Sequence, residues 1–490
     1  MNLAQPPGPG PRAYAAVDLG ASSGRVVLGV ASGGTWRFDE LHRFRNGVSE
    51  TEAGEVWDLE RLFDETVAGL RLAAGRCTEH GYRFSGIGVD SWGVDWALRT
   101  RAGEIELPSL SYRGAPDPSP TVSTRGLGAA EVYEITGIPD QAINSGLRLA
   151  ELARSRRFAG EQLLFVPDLW LHWLSGSVAT DPTIASTSQL LDARTGEFSG
   201  RLLEDLGLTE LEMPPVEPVG SVAGTLRPEL AAAIGARGEV PVFRVAGHDT
   251  ADAFAFADEQ RASGEALISS GTWSIVGAAV SRPDTSNEAR EAGFSNEAGA
   301  HGILLARNIT GLWMLQECLR EWGAQQELAP LLEAVRDRPF DARTFDTGAP
   351  ELFGAGAMER RVREACERAG RPLDASRESV VHAIIDSLAA AYAAGVRTVE
   401  RLLGRSLDRV RIVGGGSRNE RLCRLTAELT GKPVLAGPAE ASAIGNIAIQ
   451  AAADGAVDHP ADVFAALAAD ETHGYAPPNR TTADGEEKPA

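Results

Sequence analysis

Val17-Asp18-Leu19-Gly20-Ala21-Ser22-Ser23-Gly24-Arg25 is the stretch on which the fold class turns. An apolar run beginning at Tyr14 ends on Asp18-Leu19-Gly20, four small residues follow, and a second apolar run covers 25–30. That order predicts strand, glycine turn, strand. The theme returns later as an apolar run at 266–268, the turn Ser269-Ser270-Gly271-Thr272, and another apolar run at 273–279. Two such hairpins, one per half, predict duplicated domains. After the first hairpin comes an amphipathic helix over 59–74, then a strand over 84–89 that stops at Asp90-Ser91-Trp92-Gly93, so two strands of the first half end in Asp. A strand over 240–246 runs into Gly247-His248-Asp249-Thr250, with 251–258 opening a helix. In the second half, Ile384, Ile385, Leu388, Tyr392, Val396 and Val399 at helical spacing predict a helix over 380–403. A strand over 410–413 then meets Gly414-Gly415-Gly416-Ser417.

The chain has 490 residues, a length that suits two domains of comparable size with a ligand cleft between them. Their expected bounds are 13–250 and 251–470. A tail at 471–490, rich in Pro, Thr, Glu and Asp towards its end, is expected to be disordered. Acidic residues outnumber basic ones by 68 to 47, giving a net charge of -21, and basic runs are missing, which argues against a nucleic-acid partner. The four cysteines, Cys77, Cys318, Cys366 and Cys423, are widely spaced, which speaks against a zinc site or a disulfide framework and for a reducing cytoplasm. The start of the chain lacks a signal pattern, and no apolar run is expected to reach membrane-helix length. Oligomeric state, monomer or homodimer, has no local signature.

Three glycine turns and one Asp carry the candidate chemistry. Small residues at 18–25 let backbone N–H groups approach phosphate oxygens, and Asp18 at the strand end is placed to orient a Mg2+ through water; a plain hairpin turn fits the same pattern. Ser269-Ser270-Gly271-Thr272 repeats both alternatives from the second half. The run at 414–419 either offers bare backbone to a flat adenine and ribose or is only a tight strand-to-helix turn. A P-loop is excluded because the only Gly-Lys, Gly431-Lys432, precedes Pro433, and a Rossmann fingerprint fails because Asn419 stands where its third Gly belongs. Asp249, at a strand end and opening a helix whose start favours its ionised form, can take the proton of an attacking hydroxyl; a helix cap is the alternative, and for His248 a satisfied core histidine. Phosphoryl transfer asks little more than such a base plus charge placed on phosphate oxygens. Asp90 and Asp95, flanking Trp92-Gly93, suit sugar hydroxyls beside an indole face, or a core with a cap.

The segments VDLGASSGR at 17–25, GVDSWGVDW at 88–96, AGHDT at 246–250, SSGTWS at 269–274, NITGLWMLQ at 308–316 and VGGGSRN at 413–419 occur in an order that resembles the FGGY carbohydrate kinases of the actin, sugar kinase and Hsp70 superfamily, over about 15–450. The resemblance implies an α/β fold of two duplicated actin-like, ribonuclease H-like domains with a nucleotide and sugar cleft between them. It implies ATP and Mg2+, with ATP held by Ala21, Ser22, Ser23, Gly24, Arg25, Thr272, Gln316 and Gly415. A small ketose would meet Gly93, His248, Asp249, Thr250 and Asn308, with Asp249 as proton acceptor; from the apolar runs alone, a membrane is not expected as a partner. The implied reaction carries the γ-phosphoryl of ATP to the 1-hydroxyl of a deoxyketose in a cleft that closes over its substrates. Another ketose kinase of the same family, and an actin-like or Hsp70-like ATPase without a sugar, are the alternatives. Two stretches depart from the family pattern and are expected near the sugar: Tyr112-Arg113 is followed by Gly114 where Asp is usual, and Ile143-Asn144-Ser145 replaces a Phe-Asn-Thr-like stretch.

Overall fold

The computed structural model describes residues 10–478 except 53, 108, 115–125 and 355. It divides into two compact units. Met1–Ser263, Ala278–Arg307 and Glu440–Glu471 form the first; Gly264–Gly277, Asn308–Ala439 and Thr472–Ala490 form the second.

In the first unit, β1 (Arg12–Leu19), β2 (Ser23–Ser32), β3 (Thr35–Arg45), β4 (Arg83–Ser91), β5 (Val222–Thr225) and β6 (Pro241–Phe243) make a six-stranded sheet in the order β5-β6-β4-β1-β2-β3. From β2 inward, the pairings run antiparallel to β1, parallel to β4, parallel to β6 and antiparallel to β5. Side chains of β1 alternate between two faces, as a strand's must. Ala13, Ala15, Val17 and Leu19 join the cluster of Leu59, Leu62 and Leu70, while Tyr14 and Ala16 pack with Ala443, Ile447 and Ala451. Helix Leu59–His80 therefore covers one face and helix Ala441–Ala453 the other. The first is capped by Asp58, which accepts the Arg61 N–H at 3.2 Å, and it ends at left-handed Gly81.

The second unit is built around β7 (Glu265–Ser270), β8 (Trp273–Val280), β9 (Arg409–Val413), β10 (Val434–Ala436) and β11 (His473–Tyr475). From β8 inward, its pairings are antiparallel to β7, parallel to β9, parallel to β10 and antiparallel to β11. That is the pairing sequence of the first unit, so the duplication expected from the two hairpins is visible strand by strand. Helix Arg377–Leu403 starts at Ser376, whose Oγ accepts the Ser379 N–H, and buries Ile384, Ile385, Leu388, Tyr392, Val396 and Val399. Contrary to the expectation that no apolar run reaches membrane-helix length, an 18-residue window of this helix has mean hydropathy 1.5. As 78% of that window is buried inside the protein, its apolar character belongs to a core helix.

Two other expectations are revised. The helix foreseen over 251–258 is the five-residue Asp249–Ala253, after which the chain continues in i→i+3 turns such as Ala255 N–H to the Asp252 carbonyl at 2.9 Å, burying Phe254 and Phe256. At the start of the tail expected to be disordered, His473–Tyr475 pairs with Val434–Ala436; positions 479–490 lie outside the described residues.

Candidate functional site

The antiparallel register of β1 and β2 sets Asp18 opposite Arg25 at the mouth of the first hairpin. Arg25 donates from Nε and Nη2 to Asp18 Oδ2 at 3.0 and 2.6 Å, and from Nη1 to the Glu440 carboxylate. Asn46 fixes the turn from outside, donating its side-chain N–H to the Gly20 carbonyl at 2.9 Å and its backbone N–H to the Ser22 carbonyl at 3.1 Å. Ser22 is exposed, Ala21 and Ser23 are half-buried, and Gly24 is buried. Arg113, in one of the stretches that depart from the family pattern, donates to the Ala21 carbonyl at 2.6 Å.

Parallel pairing of β1 with β4 puts Asp90 beside Asp18. Asp90 is fully buried and accepts from Asn446 Nδ2 at 2.7 Å, and Gln450 Nε2 in turn donates to Asn446 Oδ1 at 2.7 Å. Asp252, also fully buried, accepts the Ala246 N–H at 3.2 Å. Burial raises both carboxyls well above the usual range; Asp18 adds to the rise of Asp90, and Asp90 to that of Asp252. Among the described residues, Asp90 Oδ1 and Asp252 Oδ2 have no hydrogen-bond partner. Helix Ala441–Ala453 can lie this close only because residue 445 is Gly, where a Cβ would stand 1.8 Å from the Asp252 carbonyl oxygen.

Gly247-His248-Asp249-Thr250 follows β6, and Ser91 at the end of β4 bridges to His248. The Gly247 N–H donates to Asp181 Oδ2 at 3.1 Å and the His248 N–H to Thr183 Oγ at 3.2 Å, so the loop is held from behind. Asp249 faces outward with about a third of its side chain exposed (32%), accepts from Thr250 Oγ at 3.1 Å, and lies 3.6 Å from His248 Nε2. The expected ionising effect of a helix start is outweighed: burial pushes Asp249 up, His248 opposes that, and Asp18 adds to it. His248 Nδ1 is 3.2 Å from Glu297, a residue without any motif around it in the sequence.

Of the two readings of Asp90 and Asp95, sugar contact or a core with a cap, the structure favours the second. Asp95 is fully buried and already accepts from the indoles of Trp57 and Trp92 at 2.6 and 3.0 Å, from the Tyr112 N–H at 3.3 Å, and from Arg148. Its lone pairs are taken by a structural knot. That knot shapes the neighbouring loop: Val94 adopts φ 67, unfavourable for a β-branched residue, with its N–H on Thr187 Oγ at 3.1 Å and its carbonyl on Ser145 Oγ at 2.6 Å. Half-buried Gly93 thus directly precedes the residue that Ser145, part of the other departing stretch, holds.

In the second unit, Thr272 Oγ donates to the exposed side chain of Gln316 at 3.2 Å. Beneath that turn, the buried Tyr392 hydroxyl meets Ser270 and Ser274 Oγ at 2.7 and 2.6 Å. The glycine turn forms a short 3-10 segment, Gly415–Arg418, against β7. Gly416 touches Ser270 so closely that a Cβ would sit 1.9 Å from its Oγ, whereas a Cβ on exposed Gly415 meets nothing within 4 Å. Gly416→Ala is therefore expected to destabilise the unit by ~1–3 kcal/mol in urea unfolding. Gly415→Val is expected to keep wild-type stability yet weaken ATP binding in calorimetry. Equal stability of the two variants would count against the tight packing. Asn308 is exposed on the strand Ile303–Thr310. Thus Gly93, His248, Asp249 and Thr250, like Asp18 and its turn, belong to the first unit, and Asn308, Thr272, Gln316 and Gly415 to the second.

Two repeats of one sheet topology, each with a glycine turn after its first strand, define the duplicated actin-like ATPase fold. Solved structures agree: gluconate kinase from Lactobacillus acidophilus superposes with TM-score 0.75 at 14% identity, covering 95% of this chain and 94% of that one. Plasmodium falciparum glycerol kinase with ADP gives 0.74 at 13% identity, covering 96% and 94%. Models of the N-terminal and C-terminal domains of the FGGY family of carbohydrate kinases match residues 122–255 and 266–453. Rhamnulokinase of Bacteroides thetaiotaomicron is 37% identical over 447 residues, 89% of this chain and 90% of the relative; that of Bacillus subtilis is 32% identical over 443 residues, 89% of each. The chain belongs to the FGGY family of carbohydrate kinases and is a phosphotransferase.

Proposed function

We propose that this kinase moves the γ-phosphoryl of ATP to the 1-hydroxyl of L-rhamnulose, giving L-rhamnulose 1-phosphate and ADP. The observation that carries this reading is Asp249, a partly exposed carboxylate raised by burial and flanked by His248 and Thr250, which suits a general base. Asp249 takes the hydroxyl proton as the sugar oxygen bonds to the γ-phosphorus and the bond from that phosphorus to ADP breaks. Gly93, His248, Thr250 and Asn308 hold the ketose. The backbone of Ala21, Ser22, Ser23 and Gly24, with Arg25, Thr272, Gln316 and Gly415, holds ATP. The name borne by the bacterial relatives supports L-rhamnulose over L-fuculose.

Among the described residues no group of three or more His, Cys, Asp or Glu side chains is arranged to hold a metal. Asp18, with one oxygen on Arg25, fits instead a Mg2+ that arrives on the nucleotide phosphates and keeps its waters. Bound there, the cation would screen the phosphate charge. The four cysteines are free and buried, which suits the cytoplasm as the setting.

An ADP-release assay with L-rhamnulose, L-fuculose, L-ribulose, D-xylulose and glycerol tests the proposal. The highest kcat/KM is expected with L-rhamnulose. A preference for L-fuculose would reassign the sugar, and ATP hydrolysis indifferent to every polyol would replace the kinase reading with that of a bare ATPase.

A further inference from the structure

Glu297 stands in the strand Ser295–Ala298 of the first unit, fastened by the Ala298 N–H to Ser186 Oγ at 3.0 Å. Its Oε2 is 3.2 Å from His248 Nδ1, and its Oε1 accepts from Ser295 Oγ at 2.8 Å. Both side chains are largely enclosed, with 12% of His248 and 14% of Glu297 exposed. The other imidazole nitrogen, Nε2, points to Asp249 Oδ1 at 3.6 Å. An imidazole with a carboxylate on Nδ1 keeps its proton there and has a fixed orientation.

We propose that Glu297 is a positioning residue for the phosphoryl acceptor: it accepts the Nδ1–H of the His248 imidazolium, which lies between two carboxylates, and so holds the remaining Nε2–H as a fixed donor beside Asp249 for an oxygen adjacent to the reacting hydroxyl. This rests on the reading of Asp249 as the base. A donor and an acceptor side by side match a hydroxyl that gives its proton to Asp249 and a neighbouring carbonyl or hydroxyl oxygen that receives the His248 N–H. The charges facing His248 agree. Burial alone would lower its pKa, but the hydrogen bond and charge of Glu297, then Asp249 and Asp181, overrule that and raise it. Burial would raise Glu297, yet His248 and Ser295 bring it down. The groups acting on His248 are thus Glu297, Asp249 and Asp181, all carboxylates.

The test uses full-length protein labelled with 15N-histidine, without sugar, with the His248 signals assigned by their loss in His248→Asn. Glu297→Gln is expected to lower the titration midpoint of His248 by a unit or more, and Glu297→Asp to restore most of it. An unchanged midpoint in Glu297→Gln overturns the proposal. In kinetics, Glu297→Gln is expected to raise the KM for ketose ~10-fold, the scale of one hydrogen bond to a charged group, and leave the KM for ATP alone. Added to His248→Asn, it should cost nothing further; a loss that simply adds to that of His248→Asn overturns the coupling. Should the wild-type protein phosphorylate no ketose, the functional reading falls, while the titration still decides the role of Glu297 towards His248.

Discussion

Asp249→Asn is expected to lower turnover at least ~100-fold, the usual scale for losing a general base, while ATP binding measured by calorimetry stays near wild type. The amide is nearly isosteric, so the hydrogen bond from Thr250 Oγ and the loop packing against Asp181 and Thr183 survive. What disappears is the acceptor for the hydroxyl proton. The pH profile supplies a second check. Burial raises Asp249, and a base must be ionised to act, so kcat/KM should fall with decreasing pH through a midpoint above the ~3.9 of an ordinary Asp. His248 opposes this rise most, ahead of the Thr250 hydrogen bonds, so His248→Asn should move the midpoint higher still. Near-normal turnover of Asp249→Asn would assign the proton to another group.

The second large effect concerns folding. Asp386, fully buried on the helix Arg377–Leu403, accepts from Arg371 Nη2 at 3.0 Å, from Arg421 Nη2 at 2.5 Å and from the Asp341 N–H at 3.2 Å. Arg421 is 2% exposed and also donates to the carbonyls of Val335, Arg336, Arg338 and Pro339. Asp386→Ala leaves its guanidinium buried without a counter-charge, and such a deletion typically costs ~3–5 kcal/mol. Urea unfolding should show a loss of that size. A loss below ~1 kcal/mol would mean that the carbonyls alone hold Arg421. Because Arg421 opens the helix Glu420–Thr430 that follows the glycine turn, the variant should also loosen the turn that carries Gly415.

Much of the fold is legible along the chain because its signals are local. The continuous apolar runs around the two small-residue turns identify both hairpins, and the 3.6-residue spacing from Ile384 to Val399 identifies the long helix. Asp249 is legible too, as a carboxylate between a strand and a helix start. Asp95 stays open in the sequence for an instructive reason: an Asp beside a Trp suits either a sugar or an indole N–H, and only the arrival of Trp57, Tyr112 and Arg148 settles which. The apolar helix Arg377–Leu403 likewise becomes a core helix only through what packs around it.

The first hairpin shows where local information ends. The sequence by itself determined its strands and its turn, and with only six residues between them Asp18 and Arg25 have little choice but to meet. Only the tertiary structure decided what surrounds it. Asn446 comes from 356 positions away to hold Asp90, Glu440 from 415 positions away to hold Arg25, and Glu297 to hold His248. Those partners have no periodicity or motif of their own. Their selection depends on which faces of the sheet the later helices and strands cover, and that is set by the burial of apolar surface summed over the whole unit.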